Sequence, residues 1–174
     1  MTTLNVDTWQ NTAGASYNRC LQTVTGISDT TYTITTSGTA QFYYDTPITV
    51  NITSKKANSK FFLIGDVTGY ITSTDCAMNI GFSRNYSGSS RTLVCGVDGV
   101  SGDSWQGFGN SNAWGNSTSY NIQRHFLDAP NVAKGTTLTY TVTLASWTPT
   151  AGQRSVGWAG YIAHNKIIVL EIEA

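Results

Sequence analysis

Between Thr137 and Leu144 the chain alternates without a break, reading Thr137-Leu138-Thr139-Tyr140-Thr141-Val142-Thr143-Leu144. Successive side chains of an extended strand point to opposite faces, so this stretch sets four apolar side chains against four threonines. Period two with β-branched residues fits a half-buried strand of an antiparallel sheet. The same period recurs at Thr31-Tyr32-Thr33-Ile34-Thr35 and at Ile48-Thr49-Val50-Asn51-Ile52-Thr53. Two other stretches, Phe61-Phe62-Leu63-Ile64 and Ile167-Ile168-Val169-Leu170, are apolar at consecutive positions, as central strands of a packed sheet would be. Further strands are predicted over 20–24, 69–72, 77–82, 92–97, 119–126 and 155–162.

Helix signals are weak. No 12-residue window carries a 3.6-residue apolar stripe free of Gly and β-branched runs, and one short helical turn is predicted over 12–19. Turn pairs such as Ser37-Gly38, Ser87-Gly88, Asp98-Gly99 and Lys134-Gly135 fall between the strands. About ten short strands at this spacing predict an all-β fold, an antiparallel β-sandwich or jelly roll, with a flattened barrel as the near alternative. The expected organisation is one β-sandwich domain over 19–174 preceded by an N-terminal arm over 1–18. That arm is mostly polar, with Trp9 as its main anchor for docking or intersubunit contact.

Solubility in this chain rests on neutral groups. Charged residues make up 11% of its 174 residues, against roughly 25% in ordinary soluble domains. Thr (27), Ser (17), Asn (13) and Gly (17) supply 74 positions instead. Ten basic and ten acidic side chains cancel, which leaves no basic footprint for nucleic acid and no polybasic stretch for an anionic membrane. No apolar run approaches the roughly 18 residues of a membrane span, so no membrane insertion is expected. Met1 to Asp7 carry neither a basic nor an apolar leader region, and no secretory signal is expected. Three cysteines, Cys20, Cys76 and Cys95, give an odd count without a C-x-x-C, which argues against disulfides and zinc, and the apolar strand-like contexts of Cys76 and Cys95 predict buried thiols there. Near-zero net charge suits a protein held in a fixed assembly.

Constellations for catalysis are missing. G-x-S-x-G does not occur, His125 and His164 stand alone, and Glu is confined to Glu171 and Glu173. Asp98 and Asp103 lack the closing carboxylate of a calcium loop. No enzyme activity, cofactor or metal is expected. Residues 100–119 form the one long irregular segment, with Trp105, Phe108 and Trp114 set among Asn110, Asn112, Asn116, Gly and Ser. Rigid aromatics amid small polar residues suit recognition of a neutral polyhydroxyl ligand or a protein surface. The alternative is that the tryptophans fill a gap over the sheet.

Leu4-Asn5-Val6-Asp7-Thr8-Trp9-Gln10-Asn11-Thr12-Ala13-Gly14, followed by Leu21-Gln22-Thr23-Val24, resembles a segment that opens the C-terminal β-domain of tailed-bacteriophage tail-fibre and head-fibre proteins. The closing stretch Lys166 to Glu173 resembles the last strand of those domains, and Ile48 to Thr53, Ser54 to Ser59 and Lys60 to Ile64 echo their middle pattern. The resemblance covers about a third of the chain. It implies a non-enzymatic virion structural protein, a capsid decoration, head fibre or short fibre, assembled as a homotrimer on a capsid or tail protein of the same particle. It transfers no catalytic residue. A receptor- or glycan-binding tip concerned with host attachment is the alternative. No anchoring domain or shaft precedes the motif, so such a chain is expected to dock directly. A virion protein made in the host cytoplasm also reconciles reduced thiols with a surface chemistry common outside cells. Trp9, Tyr43 and Tyr44 are large apolar residues expected at an assembly surface.

The two readings of the 100–119 segment make opposite demands on one substitution. If Trp114 serves recognition, Trp114→Ala leaves the thermal midpoint nearly unchanged and reduces adsorption to cells. If it is core, the same change costs about 3–5 kcal/mol in a thermal melt.

Overall fold

The alternating threonine stretch opens a strand of 20 residues, more than twice its length. The computed structural model describes residues 19–38, 40–71, 77–95, 100–101, 113–114, 118–156 and 165–174. Among them run twelve strands and no helix: β1 (Cys20–Ser28), β2 (Tyr32–Gly38), β3 (Ala40–Gln41), β4 (Tyr43–Thr53), β5 (Lys60–Ile71), β6 (Ala77–Tyr86), β7 (Thr92–Cys95), β8 (Val100–Ser101), β9 (Ala113–Trp114), β10 (Thr118–Asp128), β11 (Thr137–Val156) and β12 (Asn165–Ile172).

Strand β11 belongs to two sheets. Residues 137–147 run between β4 and β6, and β6 carries β7 and β9 along its other edge. Residues 148–156 pair with β2, and 154–156 also pair with the end of β5, in a second sheet ordered β10-β5-β12-β1. All of these pairings are antiparallel. β3 and β8 form a separate ribbon. The fold is an all-β sandwich in which one strand turns the corner between layers. β1 closely approaches β4 without a ladder between them: the Gln22 carboxamide donates to the Thr53 carbonyl at 2.6 Å. A Cβ on Gly26 would sit 2.0 Å from the Thr49 carbonyl oxygen, so only glycine lets these edges meet.

Burial follows the alternation. Leu138, Tyr140, Val142 and Leu144 are fully buried, and Ile48, Val50 and Ile52 face the same interior from β4. Phe61, Leu63, Val67, Ile122, Ile167 and Val169 answer them from the opposite sheet. The Phe61 and Tyr140 rings meet across the interior at 5.8 Å. The strand predicted over 69–72 is the continuation of β5 through Gly65 and Gly69. Gly65 is no break; a Cβ there would lie 3.1 Å from the Phe82 ring. Tyr43, expected at an assembly surface, is instead 4% exposed, and its hydroxyl accepts from Asn79 at 3.0 Å. Tyr44 is exposed. Cys95 is buried and Cys20 exposed, while Cys76 lies outside the described residues. So do the 1–18 arm, most of the helical turn predicted over 12–19, and the predicted strand beyond Val156.

Three buried charged residues, Asp128, Arg124 and Glu171, tie the layers. Arg84 on β6 donates to both carboxylate oxygens of Asp128 on β10, at 2.6 and 2.5 Å, and the Tyr140 hydroxyl donates to the same carboxylate at 2.7 Å. Burial pushes the Tyr140 phenol far above its usual range, and the neighbouring Asp128 charge pushes it further. Arg124, also on β10, donates to the Asn79 side chain, the Ile80 carbonyl and the Cys95 sulfur. Burial raises the Cys95 thiol pKa, and Arg124 opposes that shift. Glu171 on β12 is fully buried and accepts from the Gln22 carboxamide, the Ser54 hydroxyl and the backbone N–H groups of Lys55 and Lys56. It holds the β4–β5 connection against the closing strand.

Two outcomes follow. Asp128→Ala strands the buried Arg84 guanidinium and should cost about 3–5 kcal/mol in a denaturant titration. For Glu171, burial alone would raise the carboxyl, but hydrogen bonds from Ser59, Gln22 and the Lys55 and Lys56 amides hold it below the usual value. A depressed folded pKa means the contribution is present above the ordinary carboxylate pKa of about 4.3 and fades as pH falls through the lower, folded value. Thermal midpoints should therefore drop below about pH 4, and Glu171→Gln should lose stability at neutral pH and show a shallower acid decline.

Candidate functional site

The two layers expose outer faces of opposite chemistry. On the outer face of the β4-β11-β6 sheet, strand register sets Thr139 between Asn51 and Asn85, Thr141 between Thr49 and Ser83, and Thr137 beside Thr53. These groups bond along the rows: Thr139 to Asn51 at 2.7 Å, Thr53 with Thr137 at 2.9 Å, and Thr141 to Thr49 at 3.3 Å. Cross-strand hydroxyl and amide pairs of this kind stabilise the part of the sheet that faces water, around Thr137 and Thr139; further along the same face Ser83, Thr143 and Ala145 are buried. At its end, an open trough of about 500 Å³ lies between the Tyr86 to Ser89 turn and Thr137 and Thr139. Gly88 turns there with φ +83°. The Arg84 guanidinium lies over the Tyr86 ring at 5.9 Å.

The outer face of the β10-β5-β12-β1 sheet is aliphatic. One row across the strands reads Leu127, Phe62, Leu170, Thr23, and the next reads His125, Ile64, Ile168, Thr25. Ile172 extends the face at one end; Ile27 flanks Lys166 and Asp66 at the other, where that ion pair measures 3.4 Å. Leu127 is 50% exposed and Ile27 59%, whereas Phe62, Ile64, Ile168, Leu170 and Ile172 are half-buried by one another. His125 stands beside Phe62, ring centroids 6.2 Å apart. Both segments that are apolar at consecutive positions meet here. Their inward residues build the interior, and their outward residues have no cover among the described residues.

Of the sequence-predicted recognition and docking residues, only Trp114 is among the described ones. Trp9, Trp105, Phe108, Asn110, Asn112 and Asn116 lie outside the described residues. Trp114 is placed in β9, pairing with Ala77 along β6, so the segment predicted to be irregular over 100–119 contains strand residues at 100–101, 113–114 and 118–119. The backbone pairing there was hidden because two-residue strands carry no period. No group of three His, Cys, Asp or Glu side chains among the described residues could hold a metal ion. Asp45, Asp66 and Asp128 are engaged by Arg91, Lys166 and Arg84 respectively, and Glu173 by Arg19 and Lys56. No helix among the described residues is long and apolar enough to cross a membrane.

No family model matches the chain, and no curated protein matches it. Among solved structures it is similar to that of infectious bursal disease virus, Gt strain, at 9% identity and a TM-score of 0.47, covering 100% of this chain and 43% of that one. The crystal structure of the infectious bursal disease virus VP2 subviral particle is similar at 10% identity and a TM-score of 0.40, with 98% and 41% covered. The chain spans less than half the length of either.

The aliphatic outer face should contribute little to the stability of a single copy. Leu127→Asp should shift the unfolding free energy by no more than about 0.5 kcal/mol. Leu63→Ala, on the inward side of the same sheet, should cost about 2–5 kcal/mol, both read from denaturant melts.

Proposed function

We propose that the chain is a non-enzymatic structural protein of a virion, displayed on a tailed-phage particle as a capsid decoration, head fibre or short fibre. The observation that carries this reading is the chemical opposition of the two outer faces. A sandwich presenting a hydroxyl and amide face on one side and an aliphatic face on the other is built to be covered on one side and wetted on the other. A near-neutral, weakly charged surface suits fixed copies in an assembly, and the resemblance of the chain ends to phage fibre domains supports the same reading. Partners in this proposal are other copies of the chain, as a homotrimer, and a capsid or tail protein of the particle. The site of action is the virion, after synthesis in the host cytoplasm.

A receptor- or glycan-binding tip is the second reading, and the uncharged trough beside Tyr86, Thr137 and Thr139 favours it. Neutral hydroxyls beside a ring suit weak carbohydrate contacts, which display in many copies would strengthen by about 10² or more. Immunolabelling of purified particles decides the main proposal. Regular labelling on the head or tail is expected, and a chain absent from purified particles overturns it. Loss of cell adsorption on Asn85→Ala, with particle labelling intact, would favour the second reading.

A further inference from the structure

The aliphatic outer face needs an occupant, and the chain itself offers one. Two apolar rows about 6.7 Å apart, over four strands about 4.8 Å apart, cover roughly 13 by 19 Å, or about 250 Å². A stable interface buries about 800 Å² per partner, so two such faces laid flat together supply only about a third. The remainder must come from a segment that wraps. Residues 1–18 lie outside the described residues and precede Arg19, whose carbonyl accepts from the Glu173 amide beside the last outward residue of β12, Ile172. Eighteen extended residues reach at most about 60 Å, three times the width of the face.

Direction and charge narrow the choice. β1 begins at Cys20 opposite Ile172, so a chain continuing the line of β1 backwards leaves the sheet at its end instead of turning onto its own outer face. Over 1–18 the apolar side chains include Leu4, Val6 and Trp9, and the only charged side chain is Asp7. The face carries Lys60 and Lys166 against Asp66, a surplus of one positive charge at its rim. A strongly charged partner would find little to pair with on this surface, whereas an apolar segment with a single carboxylate matches it.

We infer that residues 1–18 of one copy lie across the outer face of the β10-β5-β12-β1 sheet of a neighbouring copy, with Trp9 seated on Phe62, Leu127 and Leu170. Arm and face are different surfaces, so each copy lends its arm to a neighbour and receives one on its face, reciprocally in a pair or head-to-tail around a ring. This names the self-association partner within the proposed virion role, and it is tested in solution without particles.

The test is a double-substitution cycle on the full chain, with mass measured by light scattering against concentration and folding checked by thermal melt. The wild-type chain is expected to associate at micromolar concentration. Trp9→Ala should weaken association about thirtyfold, as loss of a buried indole anchor does. Leu127→Glu, at an exposed position that folding tolerates, should weaken it at least tenfold. If the two groups touch, the double variant should be little weaker than the worse single one. A chain that stays at 18.7 kDa overturns the inference. So does association that ignores either substitution, or effects that multiply as for independent sites. Should Leu127→Glu fail to fold, Thr23→Glu on the same face replaces it, under the same criteria. Particle immunolabelling is unaffected by any of these results, so failure here and failure of the virion reading are separable.

Discussion

Strand β11 holds the architecture together because it is hydrogen-bonded in both layers. Its first half needs an apolar neighbour on one side only, which the threonine alternation supplies. Its second half then feeds the opposite sheet through β2 and β5. Two sheets joined by a continuous strand cannot slide freely past each other, so the register of β4 and β6 against β11 also fixes how the layers face. Side-chain period two makes that register unforgiving, since a one-residue slip would send Leu138, Tyr140, Val142 and Leu144 to water.

Strand β10 completes the closure by a different force. It pairs with β5 in one layer, and it reaches the other through Asp128 to Arg84 and through Arg124 to Asn79 and Ile80. Buried ionic contacts add little net stability over apolar packing, yet they penalise every arrangement that leaves a charge unpaired. The outcome is a sandwich whose interior is specified from both sheets. Its exterior divides into a wetted threonine and asparagine surface and an aliphatic one. In the proposed virion role, that division would keep a chain with few charges soluble on one face and leave the other for assembly.

Much of this was legible in the sequence. Alternation located β2, β4 and the first half of β11, and the doubly apolar stretches located β5 and β12. Their double apolarity was read as burial in a packed sheet. One half of that holds, since Phe61, Leu63, Ile167 and Val169 are core. Phe62, Ile64, Ile168 and Leu170 point to the far side, where the domain supplies no second layer among the described residues. The pattern thus recorded two apolar environments, one of which belongs outside this sheet pair. Of the stretches that resemble fibre domains, those in β1, β5 and β12 lie side by side in one sheet, 48–53 lies in β4 of the other layer, and 4–14 lies outside the described residues. Less was legible at Tyr43, because nothing local announces that Asn79 will meet its hydroxyl. Glu171 was equally silent, because the backbone amides that satisfy it come from residues more than a hundred positions away.

The central claim is that one outer face of this sandwich is a contact face and the other is not. Carbene footprinting reads it directly, by labelling side chains of the chain in its assembled state and again after dissociation in dilute solution. The account predicts that labelling of Leu127, Ile168 and Leu170 rises several-fold on dissociation while labelling of Asn51, Asn85 and Thr137 stays constant. Equal change on both faces, or protection confined to the threonine face, would contradict it.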